Sequence, residues 1–224
     1  CVFSFHPVKP ITTIEGGVVT TNNKNVYKNL QIFREHGIIR HKNKNMRPKY
    51  YEQIKLGYNY RMNDVQAALG IEQLKKLDQF NKLRSNLFQR YEKLLTNQQI
   101  IKPKIFKDYI SSNHLYIILL KKNKINFRDK ILKQLINKGI GCNIHYMPIY
   151  KHSFYFKKNF KKLKNSEIYY KNCISIPLHQ SLKISEQNKI DYCFSQITGP
   201  ETGSVTPNSG EISSSISLTV SSQP

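Results

Sequence analysis

From Asn97 to Ile197 short apolar runs alternate with stretches of helical period, and this alternation limits most sharply the folds open to the chain. Leu115-Tyr116-Ile117-Ile118-Leu119-Leu120 is an unbroken apolar run too short for a helix, the mark of a buried strand. Phe127 to Lys138 places Ile131 and Leu135 on one helical face with the Leu132–Ile136 pair beside it, and Gly139 can end the helix in a left-handed conformation. Ile140 to Tyr146 reads as a strand running into Pro148, Ser166 to Cys173 as a helix, Ile174-Ser175-Ile176 as a strand and Ser185 to Ile197 as the last helix. A chain that keeps switching between the two periods folds as layered α/β structure.

The preceding stretch is more helical. Asn25 to His36 carries Val26, Leu30 and Phe33 at helical spacing, with Gly37 as the C-terminal stop. Arg40 to Lys55 is polar and basic and reads as an exposed loop. Gly57-Tyr58-Asn59-Tyr60-Arg61 leads into a long helix, for which Asn63 and Gln66 have the spacing of a reciprocal capping box. Met62, Val65, Leu69, Leu74 and Leu77, then Leu83, Leu87, Tyr91, Leu94 and Leu95, form a stripe that predicts a core or interface helix pair.

The opening residues carry the reactive candidate. Val2-Phe3-Ser4-Phe5 and Val18-Val19-Thr20-Thr21, bounded by prolines and by Gly16-Gly17, predict two buried strands joined by a tight loop. Pro7 and Pro10 restrict His6 and Lys9 to extended backbone, so Lys9 sits on a stiff loop. A lysine shielded there from water presents its amine for Schiff-base chemistry. The plainer reading is a surface lysine on a hairpin. Asn59, a loop amide beside Arg61, can donate to phosphate oxygens; Arg61 either binds an anion or braces the loop.

The 36 Lys+Arg against 14 Asp+Glu give a formal charge of +22, a balance that raises nucleic-acid binding. The lysines are nevertheless spread along the chain and mixed with asparagine, as at Lys42-Asn43-Lys44-Asn45, with no accompanying RNA-binding or zinc-finger signature. They read as solvated faces, and metal ligation is not expected. Cys1, Cys142, Cys173 and Cys193 lack paired spacing and suit reduced thiols in a cytoplasmic protein. No apolar run approaches the roughly 18–20 residues of a membrane span. The sequence begins at Cys1, already inside a motif. Composition breaks at Gly199, beyond which Ser, Thr, Pro and Gly dominate and Lys and Arg vanish, so 199–224 reads as an unrelated flexible tail.

Ser4-Phe5-His6-Pro7-Val8-Lys9-Pro10-Ile11-Thr12-Thr13 with Glu15-Gly16-Gly17 resembles the lysine loop of the DegT-type pyridoxal-phosphate-dependent sugar aminotransferases. The resemblance resumes at Gly57-Tyr58-Asn59-Tyr60-Arg61-Met62-Asn63, Ser112-Asn113-His114-Leu115-Tyr116, His145-Tyr146-Met147-Pro148-Ile149-Tyr150 and Ser175-Ile176-Pro177-Leu178. It is strongest to the members that aminate C4 of a UDP-linked 4-keto-6-deoxy-N-acetyl sugar in pseudaminic acid biosynthesis. It implies the C-terminal part of a fold-type I aminotransferase: the end of the large cofactor domain over 1–95, and a small α/β domain over 96–198. It further implies Lys9 as catalytic residue and covalent cofactor anchor, Ser4 and Asn59 as phosphate contacts (Asn59 across a homodimer), and Asn143, Ile144, His145 and Tyr146 along the sugar-nucleotide site. Glutamate is the implied amino donor. The family's acidic partner for the pyridine nitrogen precedes the lysine loop, so the chain alone is expected to be inactive, a fragment or half-enzyme needing an N-terminal partner.

Overall fold

The computed structural model describes residues 1–40, 50–121, 124–156 and 161–198. The chain divides into two compact units, Cys1–Phe80 and Asn81–Pro224.

In the first unit, β1 (Val2–Ser4) and β2 (Gly17–Val19) pair antiparallel with Val2 opposite Val19 and Ser4 opposite Gly17. Both strands are exposed, Val2 at 80% and Phe3 at 49%, where the sequence predicts burial. The reason is that no third strand joins this ribbon among the described residues, so its apolar side chains gain no second layer. The connection is also longer than a tight loop, running from Phe5 to Gly16.

Helix α1 (Lys24–Arg34) is capped by Asn23, whose Oδ1 accepts from the amides of Asn25 and Val26. It stops at Gly37, which has φ +73° and donates its amide to the Ile32 carbonyl. Strands β3 (Ile38–Arg40) and β4 (Tyr51–Gln53) then pair antiparallel. The predicted exposed loop over Arg40–Lys55 is therefore strand at both ends; 41–49 lie outside the described residues.

Gly37 and Gly57 meet backbone to backbone. A Cβ on Gly57 would collide with the Gly37 amide nitrogen and the His36 carbonyl carbon, and one on Gly37 with the Lys55 carbonyl. Backbone cannot swing aside as a side chain can. Gly57→Ala is therefore expected to cost about 2–3 kcal/mol, lowering the melting temperature by roughly 4–12 °C. A thermal melt checks it, and an unchanged midpoint would contradict this packing.

Helix α2 (Asp64–Lys75) begins with the predicted capping box: Asn63 Oδ1 accepts from the Gln66 amide at 2.8 Å, and Gln66 Oε1 accepts from the Asn63 amide at 3.2 Å. Its apolar stripe does not enter a core among the described residues, since Val65 is 75% exposed and Leu74 58%.

The second unit holds the core. Helix α3 (Leu77–Leu94) buries Phe88 and Tyr91 against a three-stranded antiparallel sheet of β5 (Ile100–Ile101), β6 (Tyr116–Leu120) and β7 (Cys173–Ile176), with β6 central. Tyr116, Ile118 and Leu120 of β6 are fully buried, as the period of two requires. The rings of Phe88 and Tyr91 each lie 4.9 Å from that of Tyr116. Helix α4 (Ile125–Asn137) inserts Ile131 and Leu135 and ends at Gly139, with φ +75°. The short α5 (Ser153–Phe156), α6 (Lys164–Asn172) and α7 (Ile184–Thr198) complete the unit, with Ile190, Cys193 and Phe194 of α7 in the core.

The division at 80/81 precedes the expected 95/96 because Phe88, Tyr91 and Leu95 belong to this second core. The predicted strand Ile140–Tyr146 is reduced to one antiparallel bridge, Asn143 opposite Ser175. The Ile144 amide is taken by Asn143 Oδ1 at 2.7 Å, which turns the chain out of the ladder. The tail 199–224 lies outside the described residues.

Candidate active site

Lys9 stands on a turn closed by its own amide, which donates to the His6 carbonyl at 2.9 Å. The base of the loop converges on Phe5: its amide donates to the Gly16 carbonyl, and its carbonyl accepts from the Thr13 amide at 3.0 Å and Thr12 Oγ1 at 2.9 Å. Thr13 is 1% exposed, with its Oγ1 donating to the Glu15 carbonyl at 2.8 Å. Ile14 takes φ +70° and donates its amide to Thr12 Oγ1. Lys9 itself is half-buried, and among the described residues its amine makes no hydrogen bond or ion pair.

Ser4 ends β1; its exposed Oγ accepts a long 3.4 Å bond from the His6 amide, so its own proton is uncommitted there. His6 Nε2 lies 3.9 Å from Glu15.

Asn59 is fixed through its backbone. The amide of Tyr58 donates to Phe33 at 2.7 Å, the Tyr58 carbonyl accepts from His36, and the Tyr60 amide donates to Arg34 at 3.1 Å. This segment thus satisfies carbonyls at the end of α1 that the helix leaves unpaired. Asn59 faces Glu35 in an isolated bridge and keeps its side chain in solvent. Arg61 Nη1 lies 3.7 Å from Glu35, so the cation braces this loop.

Of the residues implied as cofactor ligands, Ser4 ends β1 and Lys9 stands on the loop that leaves it, while Asn59 stands on a second loop of the same unit. As a donor set they fit a cofactor with an electrophilic carbon and a phosphate: a primary amine, a hydroxyl and a carboxamide.

Asn143, Ile144, His145 and Tyr146 lie in the other unit, held against β7. Asn143 and Ser175 exchange both backbone hydrogen bonds, at 3.1 and 2.8 Å. His145 Nδ1 is 2.6 Å from the Oγ of the buried Ser175, and the Tyr146 ring packs edge-on against the imidazole at 4.5 Å. Tyr146 is 70% exposed, leaving its phenol available to a ligand. Asn143 also borders a cavity of about 640 Å³ floored by Ile136, Ile140 and Leu182. Burial pushes the Cys142 thiol on its wall up to about 12, so that thiol stays protonated, and burial lowers the His179 imidazole below its ordinary value.

Ser175 carries no site signal in the sequence, because a serine between two isoleucines reads as strand filler. Thr13 and the Nε2 of Gln66 were likewise hidden, since their partners are backbone atoms. None of the four cysteines is disulfide-bonded. Among the described residues no group of three His, Cys, Asp or Glu is placed to hold a metal, and no helix is long and apolar enough to cross a membrane.

The profile of the DegT/DnrJ/EryC1/StrS aminotransferase family matches residues 1–194. The chain belongs to that family. It is 41% identical over 187 residues to the UDP-4-amino-4,6-dideoxy-N-acetyl-beta-L-altrosamine transaminase of Campylobacter jejuni (strain 81-176), covering 83% of this chain and 48% of the relative. The enzyme of the same name from Helicobacter pylori is 36% identical over 194 residues, covering 84% and 50%. Among solved structures, Helicobacter pylori PseC, an aminotransferase involved in the biosynthesis of pseudoaminic acid, superposes with a TM-score of 0.80 at 33% identity, covering 88% of this chain and 52% of that one. Spr1654 of Streptococcus pneumoniae in its PLP-form gives 0.76 at 27% identity, covering 88% and 51%. The chain spans about half the length of the relatives it matches. The fold is accordingly that of part of a DegT-family aminotransferase, with helices and two-stranded ribbons mixed in the first unit and α/β structure in the second.

Proposed function

We propose that this chain carries the lysine and part of the substrate site of a pyridoxal-phosphate-dependent aminotransferase acting at C4 of a UDP-linked 4-keto-6-deoxy-N-acetyl sugar, with glutamate as amino donor. The observation that carries the reading is Lys9, half-buried on a turn pinned at its base, inside a family match that spans both units. Pyridoxal phosphate, when bound, supplies the electron sink that makes amino exchange at a sugar carbon feasible. Lys9 anchors the cofactor through Nζ and, once released, holds and moves a proton at that atom. Ser4 Oγ and the Asn59 amide donate to phosphate oxygens. Asn143, the Ile144 backbone, His145 and Tyr146 orient the sugar nucleotide, with Ser175 fixing the imidazole.

The reading includes a homodimer, supported by the exposed apolar side chains of α2 and by the stacked pair Tyr58–Tyr60, 4.7 Å apart and largely in solvent. It places the reaction in the cytoplasm, where unpaired thiols stay reduced. It expects the 224 residues alone to turn over nothing measurable.

The experiment is amination of the UDP-keto sugar with glutamate by the whole protein, followed by subunit mixing. If Asn59 serves the partner's site, Lys9→Ala and Asn59→Ala variants, each inactive alone, are expected to regain roughly a quarter of wild-type activity on mixing: half the dimers are mixed, and each holds one intact site. No recovery after proven subunit exchange contradicts the shared site.

A further inference from the structure

Gln66 has two hydrogen-bonding ends, and they serve different elements. Its Oε1 accepts from the Asn63 amide and closes the capping box at the start of α2. Its Nε2 donates to the carbonyl of Glu15 at 3.0 Å, across 51 residues of sequence. That carbonyl also accepts from Thr13 Oγ1 at 2.8 Å, so two side-chain donors converge on one oxygen at the exit of the Lys9 loop. Thr13 is in turn pressed against the same helix: a Cβ on Gly70 would stand 2.9 Å from Thr13 Cγ2, and one on Gly16 2.5 Å from Thr13 Oγ1. The loop between is held in unfavourable backbone, with Ile14 at φ +70°, a conformation that persists only where its surroundings over-determine it.

We infer that Gln66 is a positioning residue for Lys9. Together with Thr13 it clamps the Glu15 carbonyl to the first turn of α2, thereby fixing the turn that presents the Lys9 amine. The inference rests on the reading of Lys9 as the reacting lysine. Because Asn63 and Gln66 follow directly on the Asn59 loop, the same clamp ties the loop of Asn59 to that of Lys9. A purely structural Gln66 would need only its Oε1, whereas a clamp needs the Nε2 hydrogen as well.

Gln66→Glu separates the two. Glutamate still accepts from the Asn63 amide and keeps the cap, but it has no hydrogen for the Glu15 carbonyl and sets a carboxylate against it. In the whole protein, amide exchange at Phe5, Thr13 and Ile14 is expected to quicken about fivefold, the effect of one net hydrogen bond, with α2 amides unchanged and the melting midpoint within a few degrees of wild type. Trapping of pyridoxal phosphate on Lys9 by borohydride, followed by peptide mapping, is expected to slow by a similar factor. Gln66→Ala loses both ends and is expected to show the same loop effect with a lower midpoint. Loop exchange and Lys9 trapping that both match wild type in Gln66→Glu overturn the inference, as does quickened exchange spread evenly over α2. Failure to trap Lys9 in the wild type overturns the cofactor reading instead, while exchange still decides the clamp.

Discussion

Replacing Lys9 by alanine in the whole protein is expected to abolish the borohydride-reducible pyridoxal phosphate adduct and to lower amination by at least about a thousandfold, the scale on which removing a covalent and proton-carrying group acts. Peptide mapping of the wild type is expected to find the reduced cofactor on Lys9 alone, despite the 28 other lysines in the sequence. The selectivity has a structural origin. Lys9 is half-buried and its amine makes no bond among the described residues, whereas Lys75 reaches Glu72 and Lys151 lies 2.6 Å from Glu167. The loop carrying Lys9 is moreover held by backbone bonds at Phe5, so presenting the amine costs little conformational entropy. Lys121→Ala is expected to leave both adduct and turnover unchanged. Labelling of another lysine, or an adduct surviving Lys9→Ala, would remove the basis of the proposed mechanism.

Removing the Arg84 guanidinium is expected to be among the most destabilising single changes in the second unit. Arg84 is 3% exposed, and its Nη1 donates to the Leu178 carbonyl at 2.7 Å and the His114 carbonyl at 3.3 Å while Nη2 donates to Gln180 Oε1 at 3.0 Å. The cation therefore stitches α3 to two loops 30 and 94 residues further along the chain. Burial lowers its basicity below the ordinary arginine value, and no carboxylate neutralises it among the contacts described. Arg84→Ala strands a buried carbonyl and opens a void where α3 meets the loops. The cost is expected to be about 3–5 kcal/mol, or roughly a 6–20 °C fall in the melting midpoint. Lysine at this position is expected to recover only part of the loss, because an ammonium cannot reach two diverging carbonyls and an amide oxygen with a planar fork. A midpoint within about 2 °C of wild type for Arg84→Ala would show that these bonds contribute nothing net.

Much of the architecture is local and was legible in the sequence. The capping box of Asn63 and Gln66, the glycine stops at Gly37 and Gly139, and the buried alternation of Tyr116, Ile118 and Leu120 follow from backbone conformation and side-chain period within one element. Of the Lys9 loop only the pairing of its two flanking strands was legible, since the twelve-residue connection between them is held by hydrogen bonds that converge on Phe5 from residues up to eleven positions away. What needed the tertiary structure were features whose partners lie far off in sequence. Arg84 looks like a solvated charge on an amphipathic helix until Leu178 arrives to accept from it. Ser175 looks like strand filler until His145 is laid across it, and Ile140–Tyr146 looks like a strand until Asn143 spends its side chain on the next amide. The exposure of β1, β2 and the α2 stripe was equally beyond the sequence, because an apolar period says that a face seeks a partner and not which surface supplies it. Gln66 shows both sides of the division. Its cap could be read three residues away, while its grip on the Lys9 loop depended on a carbonyl 51 residues back, which only the folded chain brings within reach.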